Sequence, residues 1–96
     1  MHAVVRRYTG VSTLIEHLAQ RQHEVEEIMV NVPGFKAYYA VRDGGVLTTI
    51  TVCEDSAGTD TSTGLAAEWI RDNMPDVTSA PPQVDEGDVF MSFTSP

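Results

Sequence analysis

The stretch Pro33-Gly34-Phe35-Lys36-Ala37-Tyr38-Tyr39-Ala40-Val41-Arg42-Asp43-Gly44-Gly45-Val46-Leu47-Thr48-Thr49-Ile50-Thr51-Val52-Cys53-Glu54 holds two alternating runs around a turn signal. Successive side chains of a strand point to opposite faces. In the first run Phe35, Ala37, Tyr39 and Val41 therefore share one face, and Lys36, Tyr38, Ala40 and Arg42 the other. In the second, Val46, Thr48, Ile50 and Val52 oppose Leu47, Thr49, Thr51 and Cys53. Asp43-Gly44-Gly45 tolerates positive φ, which makes the two runs a β-hairpin. Pro33-Gly34 ends whatever precedes it, because proline cannot continue a helical ladder and glycine readily takes the closing turn.

Upstream of that stop, Leu14, Ile15, Leu18, Val25, Ile28, Met29 and Val32 recur at helical spacing. Glu16, Gln20, His23, Glu24 and Glu27 fall on the opposite side. One helix is expected here, started by Ser12 or by a Thr13–Glu16 capping box. Residues 2–9, before Gly10, read as a first strand. Downstream, residues 55–64 read as a polar loop. Leu65, Ala66, Trp69 and Ile70 form the apolar stripe of a second helix ended by Pro75. A further loop through Pro81-Pro82 to Gly87 has the composition of an extended connection. A last strand is expected from Asp88 to Thr94, with Val89, Met91 and Phe93 opposite Phe90 and Ser92.

The order β-α-β-β-α-β predicts an α+β, ferredoxin-like domain over residues 1–96, a four-stranded antiparallel sheet with two helices on one face. Helices cover one sheet face only, and alternation alone does not say which. Each strand has one apolar and one mixed face. The mixed positions (Tyr38, Ala40, Leu47, Thr49, Thr51, Cys53 and Phe90) are small or aromatic and rarely charged, unlike a solvated face. Both faces are expected to be covered, the second by another copy in a two-fold dimer.

The net charge of −8, from 6 basic and 14 acidic residues, opposes binding to phosphate backbones and to anionic membrane surfaces. No run approaches the roughly 20 apolar residues of a membrane span. The lone Cys53 excludes an internal disulfide, and with no secretory leader recognisable at residues 1–7 a cytoplasmic location is expected. The clusters Glu24, Glu26, Glu27 and Asp85, Glu86, Asp88 read as solvated faces. No metal-ligand spacing occurs: His17 and His23 are six residues apart on a helix, and His2 is terminal. The glycines match neither a dinucleotide fingerprint nor a phosphate loop.

The order of elements, Val32-Pro33-Gly34-Phe35 running into a strand, Thr49-Ile50-Thr51-Val52, and Trp69 on the second helix resemble the dimeric α+β barrel superfamily. That superfamily includes antibiotic-biosynthesis monooxygenases and haem-degrading monooxygenases, and the nearest likeness is to an uncharacterised bacterial subgroup. The resemblance implies a homodimer, no cofactor, and a pocket between sheet and helices where a Trp and an Asn bind an aromatic substrate that itself supplies electrons to oxygen. Trp69 occupies the Trp position. Leu65 stands where the Asn would precede it by one turn, while Asn73 follows it by one turn on the same face. Haem degradation is not implied: strand one carries Arg6 and Arg7 in place of the Asn, and no His follows residue 23.

Candidate pocket residues are therefore Trp69, Asn73, Arg6, Arg7, Tyr38 and Tyr39. Each has a structural alternative. Trp69 would plug the core. The adjacent arginines and tyrosines must split between faces, and a buried Arg requires a carboxylate or an anionic ligand. Cys53 reads as a small buried apolar residue, not a nucleophile. Two functions fit: a cofactor-independent monooxygenase-like enzyme acting on an aromatic or polyketide-like small molecule, or a non-catalytic binding or dimerisation module. Whether the chain is an enzyme at all stays open at this point, because fold does not fix function.

Overall fold

The computed structural model describes residues 1–74 and 81–96. Its elements are β1 (His2–Tyr8), α1 (Ser12–Gln20), α2 (Gln22–Val30), β2 (Phe35–Asp43), β3 (Val46–Cys53), α3 (Ser56–Asn73) and β4 (Gln83–Asp88). The strands form one antiparallel sheet in the order β2-β3-β1-β4. The fold class is the α+β, ferredoxin-like one expected, with three helices instead of two among the described residues.

The extra helix arises from a break at Arg21. Positions 21 and 22 would continue the apolar stripe but are Arg and Gln, so the stripe lacks apolar side chains at its middle. Arg21 leaves helical geometry (φ −115°, ψ 32°), and its N–H is shared between the carbonyls of His17 and Leu18, at 3.0 and 3.2 Å. The capping box does not form. Val11, not Thr13, sits at the N-cap, because it is a buried core residue whose N–H bonds the Gly45 carbonyl at 3.0 Å and ties the helix start to the hairpin turn.

The polar stretch 55–64 is helical, not a loop. Asp55 caps α3, its side chain accepting from the Gly58 N–H at 3.3 Å. The hydroxyls of Thr59, Thr61, Ser62 and Thr63 satisfy themselves on carbonyls three or four residues back, at 2.7–3.1 Å. The helix ends at Asn73, and Pro75 lies outside the described residues.

The last strand is Gln83–Asp88, not Asp88–Thr94. Asp88 already pairs with His2 at the start of β1, so the ladder runs out of partner there except for the Val89 N–H, which bonds the Met1 carbonyl at 2.9 Å. Phe90, Met91 and Phe93 consequently lie exposed. The acidic β4 is a charged edge, which discourages further strand pairing.

A bulge between Phe35 and Ala37 moves Phe35 to the Cys53 side of the sheet, away from Ala37, Tyr39 and Val41. Register then settles which face the helices cover. Leu47, Thr49, Thr51 and Cys53 alternate as buried residues, joined by Val4, Arg6 and Tyr8 from β1. The mixed face, not the apolar one, lies under the helices. Its core has two parts. Tyr8, Val11, Leu14, Ile15, Leu47, Trp69 and Met74 form one, and Met29, Val32 and Cys53 the other. The uncovered face carries Ala3, Val5, Ala37, Tyr39, Val41, Val46, Ile50 and Val52.

Candidate functional site

Between the sheet and the helices lies a small cavity of about 30 Å³, lined by Tyr8, Tyr38 and Thr49 of the sheet, Leu18, Val25 and Met29 of α1 and α2, and Trp69 of α3 among others. That volume holds about one water-sized group. A wider cleft of about 760 Å³ opens between α1–α2 and β2, with Gln22, Glu26 and Arg42 among its polar lining. Leu18, Val25, Met29, Tyr38 and Leu47 line both spaces, so the cleft and the interior cavity share walls.

Trp69 is 8 % exposed, and its Nε1–H finds no acceptor among the described residues. An unmade hydrogen bond in a buried site costs about 1–3 kcal/mol. The indole is held from its outer side by Arg21, whose guanidinium carbon lies 6.0 Å from the ring centroid, a cation–π arrangement. Arg21 also donates to Asn73 Oδ1 at 2.8 Å, and Asn73 Nδ2 donates to the Trp69 carbonyl at 2.9 Å. The helix break thus supplies the residue that fixes the Trp69 turn.

Arg6 is 1 % exposed, and its partners are hydroxyls: Nε donates to Thr49 Oγ1 (3.1 Å), Nη1 to Ser62 Oγ (3.2 Å) and Thr63 Oγ1 (2.9 Å), and Nη2 to Thr51 Oγ1 (2.6 Å). Among the described residues no carboxylate pairs with it. Burial lowers its pKa, an effect partly offset by Tyr8, Tyr38 and Cys53. Burial raises the pKa of the Tyr8 and Tyr38 phenols, while the Arg6 charge pulls both down and the Thr49 hydroxyl pulls Tyr38 down further. Cys53 is a free, fully buried thiol whose pKa is raised by burial and by Asp55. Among the described residues no His, Cys, Asp and Glu cluster could hold a metal ion.

Of the six candidates, the structure brings Trp69, Arg6 and Tyr38 together inside. Arg7 is exposed on the opposite face, and Tyr39, 58 % exposed, also sits there and reaches only the wall of the outer cleft. Asn73 is committed to Arg21 and the α3 backbone. Tyr8, Thr49, Thr51, Ser62 and Thr63 were missed as site residues. The hydroxyls at 59, 62 and 63 do carry a signal, a polar stripe at helical spacing behind an Asp cap, but the composition of 55–64 reads as loop.

No family model matches the chain, and no curated protein matches its sequence. Solved structures do match. One is a protein of unknown function from Nitrosomonas europaea, 17 % identical, covering 99 % of this chain and 94 % of its own, with a TM-score of 0.75. A second is the ActVA-Orf6 monooxygenase of Streptomyces coelicolor, solved with the ligand nanaomycin D, 16 % identical over 99 % of this chain and 92 % of that one, TM-score 0.69. A third, from an uncultured marine organism, is described as a dimeric ferredoxin-like protein, 6 % identical over 98 % and 97 %, TM-score 0.70. This chain has their fold. Identities this low carry the architecture and not the reaction. No helix among the described residues is long and apolar enough to cross a membrane.

Proposed function

We propose that residues 1–96 form one domain acting as a cofactor-independent, monooxygenase-like enzyme on an aromatic or polyketide-like small molecule, as a cytoplasmic homodimer. The observation that carries this reading is the Trp69 indole, buried at a cavity wall with its N–H unpaired. A Trp that only plugs a core is normally placed where its N–H reaches a partner. Here the neighbouring Tyr8, Tyr38 and Thr49 give the cavity a few polar groups in an otherwise apolar lining, the composition of a ligand site. The cleft outside Tyr38 and Met29 offers a route of entry and enough room for a ring system.

In the reaction proposed, dioxygen is the oxidant and the substrate the reductant. One oxygen atom enters a substrate C–H₂ centre as a carbonyl, the other leaves as water, and both electron pairs come from the substrate. The protein would bind and orient the ring, exclude water, and steady the negative charge that develops when the substrate gives up a proton. Oxygen uptake against a panel of phenolic and polyketide-like compounds tests the reading. Consumption is expected with the native protein, with at least about a tenfold loss of kcat/KM in Trp69→Phe, the scale of one lost hydrogen bond. Ligand binding without oxygen uptake across the panel would instead select a non-catalytic binding module.

A further inference from the structure

Arg6 presents an imbalance that packing alone does not explain. A buried cation ordinarily has a carboxylate partner, because removing a charge from water costs several kcal/mol. Here four of the five guanidinium N–H groups are taken by neutral hydroxyls, and none by an acid. Ser62 and Thr63 can accept from Arg6 because each gives its own hydrogen to the Thr59 carbonyl. The cage solvates the charge without neutralising it.

The residues in front of Arg6 have the same character. Thr49, which accepts from Arg6 Nε, also lines the inner cavity, as does Tyr38. Tyr8 and Tyr38 present phenols, and Trp69 an unpaired N–H. Among the described residues no acid lines the inner cavity, and the rest of its wall is apolar. A chain of hydrogen bonds that begins at a cation is polarised toward donation at its far end. The interior of a protein carrying a net charge of −8 is thus locally positive and rich in donors.

We propose that this site takes the oxyanion group of a small aromatic ligand, with Arg6 as the buried counter-charge acting through Thr49. This rests on the reading of the Trp69 cavity as a ligand site and goes further by fixing the charge of what enters. Arg6 is a positioning residue here, one hydroxyl removed from the cavity.

Trp69 is the sole tryptophan, so its fluorescence reports binding at this site. The probes are benzoate and benzamide, which match in shape and differ in charge. Benzoate is expected to perturb Trp69 emission saturably with a dissociation constant at least about tenfold below that of benzamide, the advantage of a charge-assisted hydrogen bond. Arg6→Met should remove the preference and Arg6→Lys should keep most of it. Equal affinity of the native protein for the two probes would overturn the inference whether or not either variant folds, and would leave the pocket reading standing. Failure of both probes to reach Trp69 would overturn both. A benzoate preference in a protein that consumes no oxygen would uphold the anion site and remove the enzyme.

Discussion

Arg6 shows how much one residue's role depends on what surrounds it. That Arg6 and Arg7 must part to opposite faces is legible from their adjacency on a strand. Which one goes inside is not, because either strand face could have met the helices. The same holds for Tyr38 and Tyr39. Trp69 was legible because it stands on an apolar stripe. Its unpaired N–H was not, since that depends on which side chains converge on it. The interior phenols carry a pH prediction. Folding raises the Tyr8 and Tyr38 pKa above the ordinary value of 10.0, so the unfolded chain loses its phenolic protons first. The stability this confers is complete below about pH 9 and falls as pH rises through 10 and beyond. Thermal unfolding followed from about pH 8 to 11 should show that fall, and Tyr8→Phe with Tyr38→Phe should flatten it. Part of the slope should survive in the double variant, because the Cys53 thiol is raised in the same sense from 9.0. A midpoint flat with pH in the native protein would contradict the burial of these phenols.

Among the elements, the hairpin and its turn were fully legible, since alternation, Asp43-Gly44-Gly45 and the Pro33-Gly34 stop all agree. Elements failed where composition and context disagreed. The break at Arg21 follows from two polar residues on an apolar stripe, a local gap that the overall periodicity conceals. The start of α3 was hidden by hydroxyls that look like loop but turn inward to Arg6 or back onto their own helix. β4 was misplaced because Val89, Phe90, Met91 and Phe93 alternate as a strand should, while the length of β1 limits the ladder to Asp88. Helix α3 also contains a pair of glycines that test how closely it docks. A Cβ on Gly58 would run into the Pro33 carbonyl oxygen and come within 2.8 Å of Cys53 Cβ, whereas one on Gly64 meets nothing within 4 Å. Gly58→Ala should therefore destabilise by about 1–3 kcal/mol, as overpacking against backbone does. Gly64→Ala, in the same helix, should stabilise by about 0.5–1 kcal/mol through helix propensity. Urea unfolding of the two variants should give shifts of opposite sign. Equal shifts would mean that α3 does not seat on the end of β3 as described.

At the scale of the whole molecule, the question is what covers the other side of the sheet. The helices take the face bearing Arg6 and its hydroxyls, which leaves the more apolar face outward. Across β1, β2 and β3 that face presents Ala3, Val5, Ala37, Tyr39, Val41, Val46, Ile50 and Val52, with Arg7 and Asp43 its charged members on those strands. Tyr39 and Val41 are more than half exposed, as are Phe90, Met91 and Phe93 beyond β4. A continuous apolar patch on a small protein marks an interaction surface. A second copy of the same chain is the partner we propose, because a two-fold axis near Ile50 would bury this apolar face against its own copy. The expected particle in sedimentation equilibrium at micromolar concentration has twice the 10.5 kDa chain mass. Ile50 stands in the middle strand of the three, between Val5 and Tyr39, so Ile50→Glu would place two like charges against each other at the centre of the interface. That variant should sediment as a monomer. Because Ile50 points away from the helices, its chain should keep the Trp69 environment and the benzoate preference. A native monomer at that concentration would refute the dimer. A native dimer that Ile50→Glu leaves intact would move the interface off this face, toward the apolar segment that follows β4.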